Sequence, residues 1–127
     1  MRAHLIFYVN DQKASSLFYA RVLDLQPRLD VPGMTEFELC AGAVLGLMPA
    51  KGIKRLLGER LPDPERGAGI PRAELYLLTQ DPDACHRRAL ANGARELSPL
   101  CPRDWGHEAA YSLDSDGHVL AFAREGK

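Results

Sequence analysis

The sequence predicts an α+β protein: two tandem β-α-β-β-β modules forming a curved eight-stranded mixed-sheet cup, with helices on the outer face. Three observations carry this reading. The chain has 127 residues, the size of one ordinary domain. Short runs of branched and aromatic residues alternate with two stretches of helical spacing. The second half of the chain also repeats the first, and internal repeats change the fold a sequence implies.

The run His4–Val9 ends at the polar pair Asn10-Asp11, as a strand does. Asp11 is placed to cap a helix whose apolar stripe is Ala14, Leu17, Phe18, Val22 and Leu25, with Pro27 as its stop. A short extended stretch from Arg28 to Val31 precedes a Pro32-Gly33 turn. Two strands then follow, Thr35–Cys40 and Ala43–Met48, joined at Ala41-Gly42. The stretch from Pro49 to Arg72 is rich in proline and glycine and reads as a crossover. Within it Ile53, Leu56, Leu57 and Leu61 have the spacing of one side of a short helix.

The pattern then starts again. Ala73–Thr79 is strand-like, and Asp81 is placed to cap a helix through Ala84, Cys85, Ala89 and Leu90, which stops at Asn92-Gly93. Arg95–Leu100, Glu108–Leu113 and His118–Ala123 are strands, the last two joined by the turn Asp114-Ser115-Asp116-Gly117. A shift of seventy residues puts Leu5 on Leu75, Phe7 on Leu77, Asp11 on Asp81 and Ala14 on Ala84. A shift of seventy-five then puts Gly42 on Gly117, Val44 on Val119, Leu45 on Leu120 and Leu47 on Phe122. Chance matches a few apolar pairs, but matching a cap aspartate and a turn glycine as well indicates duplication. The expected organisation is one domain over 1–127, with module one at 1–49, a crossover at 50–72 and module two at 73–127.

Composition narrows the function. With 16 basic and 17 acidic residues the net charge is -1, so no nucleic-acid or anionic-membrane partner is expected. Five basic residues between Lys51 and Arg66 are interleaved with Glu59, Asp63 and Glu65, the pattern of a solvated helix face. The cysteines Cys40, Cys85 and Cys101 are odd in number and widely spaced, which suits reduced thiols in a cytoplasmic protein. The apolar run near the N-terminus is too short to span a membrane and lacks the features of a leader.

Strand alternation divides each sheet into two faces. Leu5, Phe7 and Val9 are expected to meet the first helix, which leaves His4, Ile6 and Tyr8 on the concave side. Likewise Glu74, Tyr76 and Leu78 are expected inward, with Val44, Gly46 and Met48 from one later strand and Val119, Ala121 and Ala123 from the other. An apolar cup with a few polar groups is the usual form of a small-molecule site.

Three features together resemble the vicinal oxygen chelate superfamily, the glyoxalase, bleomycin-resistance and extradiol-dioxygenase group. They are the strand ending Val9-Asn10-Asp11, the helix with Phe18-Tyr19 and Val22-Leu23-Asp24-Leu25, and the hairpin Asp114-Ser115-Asp116-Gly117-His118. The resemblance covers essentially the whole chain. The segment Ala73–Thr79 and the loop Trp105-Gly106 are similar to bacterial glyoxalase-like members. These motifs mark the fold well and the activity poorly.

The resemblance implies a homodimer and, in metal-dependent members, four ligands on equivalent strands. Carried over, two of those positions fall on His4 and Glu74, which can each bind a divalent metal. The other two fall on Gly46 and Ala121, which cannot. A pair is too few for a catalytic site, which commonly has three protein ligands and a water. His107, Glu108 and His118 would substitute only by pointing inward. A bound metal is therefore disfavoured, no cofactor is expected, and the alternative reading of His4 and Glu74 is a hydrogen-bonded polar pair.

Two readings of function follow. In the first, the protein binds a small organic molecule in the sheet cup without a metal, using His4, Ile6, Tyr8, Glu74, Tyr76 and Trp105. Trp105 is the chain's one tryptophan, and it reads equally as a flat ligand contact or an apolar plug. In the second, the protein is a lyase, isomerase or other enzyme, metal-dependent or acid–base, that works through His4 and Glu74. Glyoxalase I and ring-cleaving chemistry are disfavoured by Gly46 and Ala121.

Overall fold

The computed structural model describes residues 1–126. The chain divides into two compact units, Met1–Ala68 and Gly69–Lys127. The break falls inside the expected crossover, most of which belongs with the first unit.

In the first unit, β1 (Ala3–Val9) leads into α1 (Gln12–Leu23), followed by β2 (Leu29–Val31), β3 (Met34–Cys40) and β4 (Ala43–Pro49). The sheet order is β1-β4-β3-β2, with β1 parallel to β4 and the other pairs antiparallel. Asp11 caps α1 as expected, its carboxylate accepting from the Ala14 N–H at 3.0 Å. Against the sheet, α1 buries Ser15, Tyr19 and Val22. Phe7, Val9, Phe37, Leu45 and Leu47 form the apolar face it covers, and the Phe7 and Tyr19 rings are 6.3 Å apart.

The expected stripe on α1 was displaced by about one position. Leu17 is 49% exposed, and Leu25 lies outside the helix, which ends at Leu23. The stop is Asp24, in the left-handed conformation at φ 54° with its N–H on the Ala20 carbonyl, and not Pro27. Tyr19 carries the ring that fills the helix–sheet space, so the helix turns to bury it. Leu5 is on the helix side of β1 but stays partly exposed. After β4 the chain forms α2 (Ala50–Leu57) and 3-10 turns over Gly58–Arg60 and Pro64–Gly67. Only Ile53 of the expected apolar side is buried; Leu56 is 70% exposed and Leu61 lies beyond the helix.

The second unit repeats the plan. β5 (Glu74–Leu78), α3 (Pro82–Ala91), β6 (Arg95–Pro102), β7 (His107–Leu113) and β8 (Val119–Glu125) give the order β5-β8-β7-β6. The strand β5 is parallel to β8 and the other pairs are antiparallel. Asp81 caps α3 through the Ala84 N–H, again at 3.0 Å. The matched turn glycines also agree, with φ 84° at Gly42 and φ 87° at Gly117. The duplication read from the sequence thus extends to cap geometry and turn conformation. The three cysteines are free, and among the described residues no helix is long and apolar enough to cross a membrane.

Candidate functional site

In the first unit, strand register sets one face of the sheet opposite the helix side. His4 is opposite Val44, Ile6 opposite Gly46 and Tyr8 opposite Met48 on β4. On the other side of β4, Glu36 of β3 is the partner of Gly46. The expected trio His4, Ile6 and Tyr8 therefore shares this open face. A residue the alternation pattern passed over, Glu36, shares it too.

Glu36 is the centre of a polar group. Its Oε2 is 3.4 Å from His4 Nδ1, and its Oε1 is 3.4 Å from Arg28 Nε. The Arg28 backbone N–H donates to the Glu36 carbonyl at 2.7 Å, which extends the β2–β3 pairing by one residue and sets the guanidinium beside the carboxylate. Gly46, between Ile6 of β1 and Glu36 of β3, adds no side chain to this face. A Cβ built there would lie 3.2 Å from both Ile6 Cγ1 and Met34 Sδ, so these two side chains already fill the space.

The second unit places Glu74 and Tyr76 of β5 on the corresponding face, opposite Val119 and Ala121 of β8. On the far side of Ala121 stands Tyr111 of β7. The Arg103 guanidinium is 4.9 Å from the Tyr111 ring centroid. Arg103 is held there by the Ser98 hydroxyl at 2.6 Å and the Ala109 carbonyl at 2.8 Å, both accepting from Nη2. Burial, the Glu74 charge and Tyr76 all push the Tyr111 phenol above its ordinary range, and Arg103 pulls it back only in part.

Trp105 and Tyr76 are brought together. The Trp105 indole N–H donates to the Tyr76 hydroxyl oxygen at 3.0 Å, and that hydroxyl is 2.7 Å from His107 Nδ1. With the indole donating, the phenol proton is free to go to the imidazole when the His107 hydrogen is on Nε2. The indole itself is 57% exposed, so it is tethered by one edge with its ring open to solvent. It does not plug the core. His107 faces Tyr76, while Glu108 pairs with Arg124 at 2.9 Å and His118 is buried at the edge of β8.

Within each unit the donor set does not fit a divalent metal. The unit that holds His4 offers only Glu36 beside it, and the second Glu36 oxygen faces the Arg28 cation. Glu74 belongs to the other unit, and Gly46 and Ala121 supply no donor atom. Among the described residues no group of three or more His, Cys, Asp or Glu side chains is gathered closely enough to hold a metal ion.

Two successive β-α-β-β-β units, each with a helix packed on its own four-stranded sheet, define the class of fold. The family follows from the sequence itself: residues 2–122 match the model of the Glyoxalase/Bleomycin resistance protein/Dioxygenase superfamily, and the chain belongs to it. A search of curated proteins gives no significant match. Among solved structures, a glyoxalase-related enzyme from Fulvimarina pelagi superposes with a TM-score of 0.82 at 20% identity, over 98% of this chain and 88% of that one. A glyoxalase/bleomycin resistance protein/dioxygenase from Nocardioides gives 0.78 at 21%, over 100% and 84%. TioX from Micromonospora sp. ML1 gives 0.72 at 17%, over 98% of each chain. At these identities the likeness is one of fold.

Proposed function

We propose that the protein binds a small organic molecule without a resident metal, on the open faces of its sheets, with Tyr76, Trp105 and His107 as the main anchor. The observation that carries this reading is the bonded chain from Trp105 through Tyr76 to His107. It holds an exposed indole in one orientation, and a flat, pre-positioned aromatic ring contacts a ligand at low entropic cost. Glu74 and Tyr111 add polar groups on the same face, and His4, Ile6 and Tyr8 line the face of the first sheet. The homodimer implied by the family resemblance is part of this reading.

The test is a thermal-shift screen read alongside tryptophan emission. Ligands that raise Tm are expected to shift or quench Trp105 emission, and Trp105→Ala is expected to remove most of the thermal shift. A ligand that stabilises wild type and Trp105→Ala equally, with no change in emission, would sink the proposal.

One observation favours a second reading, an acid–base enzyme. The 2.7 Å contact between Tyr76 and His107 is a phenol–imidazole pair within proton-transfer distance. The enzyme reading thus moves from His4 and Glu74 to this pair. Tyr76→Phe separates the two readings: a binding protein keeps most of its affinity, whereas an acid–base enzyme loses turnover.

A further inference from the structure

Arg28, Glu36 and His4 form a polar group whose hydrogen-bonding capacity the described residues leave unmet. Both contacts to the Glu36 carboxylate are 3.4 Å ion pairs. Charge-assisted hydrogen bonds are shorter, near ~2.8 Å. Glu36 is 12% exposed at its side chain, against 33% for His4 and 34% for Arg28. Among the described residues the Arg28 guanidinium donates no hydrogen bond, the His4 ring makes none and the Glu36 carboxylate accepts none. A carboxylate as withdrawn from water as Glu36 is normally bonded, and the exposed His4 and Arg28 edges beside it leave room for an outside partner to reach it.

Charge selects among partners. A metal cation or an organic ammonium placed at Glu36 would lie against the Arg28 guanidinium. A carboxylate or phosphate placed at Arg28 would lie against Glu36. A neutral group with an acceptor and a donor side by side meets neither repulsion: its oxygen accepts from Arg28 or His4, and its N–H donates to Glu36. Beside the trio, Ile6 and Leu29 stand exposed, and Met34 adds its thioether, so an apolar frame adjoins the polar edge.

We propose that this face of the first sheet recognises a neutral carboxamide or lactam edge carried on a small apolar body. The assignment goes beyond the anchor at Trp105 and stands on a different unit of the chain. Three matched probes test it by NMR titration of the whole protein: benzamide, benzoate and benzylammonium. Benzamide is expected to perturb the backbone resonances of Arg28, Glu36 and His4 saturably, with the two charged probes weaker by about tenfold or more.

Two substitutions then read the roles separately. Arg28→Met keeps much of the apolar stem and removes the donors, and is expected to weaken benzamide by about tenfold. Glu36→Gln removes the negative charge, and benzoate is then expected to gain on benzamide through Arg28. If benzoate or benzylammonium binds this face of the wild type as well as benzamide does, the proposal fails. It also fails if benzamide perturbs none of the three residues. Neither result touches Trp105 emission, which is read separately for the anchor on the second unit.

Discussion

The two sheets answer the same geometric problem with different chemistry. In each, a position that the family resemblance assigns to a metal ligand carries no donor side chain: Gly46 on β4 and Ala121 on β8. In each, the residue beyond it on the next strand reaches the open face, and it is Glu36 in the first unit and Tyr111 in the second. Each also has an arginine against that residue, Arg28 at 3.4 Å from Glu36 and Arg103 at 4.9 Å from the Tyr111 ring. The partners on the first strands are His4 and Glu74. Duplication therefore preserved a three-residue placement while its charges were exchanged. The first sheet carries acid between two bases, and the second carries a neutral phenol between a base and an acid.

The difference extends to bonding. In the second unit Trp105, Tyr76 and His107 complete a chain of hydrogen bonds, and Arg103 is fully held by its own loop and strand. In the first unit the trio has ion pairs alone. A closed network rigidifies a surface, whereas an open one keeps its bonding capacity for a ligand.

The largest effect expected from breaking the symmetry is at the matched turn glycines. Both have positive φ, so alanine is strained at either. At Gly42 a Cβ would meet only the Met1 carbonyl at 3.6 Å, and the cost is that strain, about 1 kcal/mol. At Gly117 it would lie 2.5 Å from the Gly69 carbonyl carbon and 2.7 Å from its oxygen, so backbone has to move. Gly117→Ala is expected to cost about 2–4 kcal/mol, measured by denaturant unfolding. Equal losses at the two positions would show that the Gly69 contact with this turn is not made.

A smaller difference is expected on the helix sides. Thr35 is fully buried, and its hydroxyl accepts from Gln12 and Ser16 and donates to Asp30. Thr35→Val takes one partner from each of the three, although Gln12 and Ser16 keep the Val31 and Gln12 carbonyls as acceptors, and is expected to cost about 1–3 kcal/mol. Ser112 is equally buried, but among the described residues its hydroxyl has no partner. Ser112→Ala is expected to change stability by no more than about 0.5 kcal/mol, or to raise it. A large loss at Ser112 on chemical denaturation would mean that an ordered water bonds its hydroxyl.

The scaffold was legible in the sequence because its signals are local. Asp11 and Asp81 precede their helices by the spacing a cap requires, and Gly42 and Gly117 sit where only positive φ closes the turn. The helix stripe was less legible, because three- and four-residue spacing fits Leu17 as well as Tyr19, and ring volume decides between them. The open faces were half legible. Alternation placed His4, Ile6, Tyr8, Glu74 and Tyr76 correctly on their strands. It missed Glu36 because Thr35–Cys40 reads as an ordinary strand whose glutamates face solvent. It missed Arg28 because that position depends on a backbone bond to Glu36, eight residues away. The Trp105–Tyr76 pairing spans 29 residues and has no local signal.

The finest contrast between the sheets is electrostatic and can be read by pH. Tyr111 titrates above the ordinary 10.0 in the folded protein, first through burial and then through Glu74 and Tyr76, with Arg103 opposing. As pH rises past 10, the unfolded chain therefore gives up this proton before the folded chain does. The folded state then binds more protons, so stability falls with pH in this window and levels off above the folded value. Tyr111→Phe is expected to remove that share of the alkaline loss. Glu74→Gln is expected to move the Tyr111 titration down, and Arg103→Gln to move it up, followed by phenolate absorbance with Tyr76→Phe as background. If Glu74→Gln leaves the titration in place, the Glu74 charge has no energetic consequence at Tyr111, and burial set against Arg103 accounts for the shift.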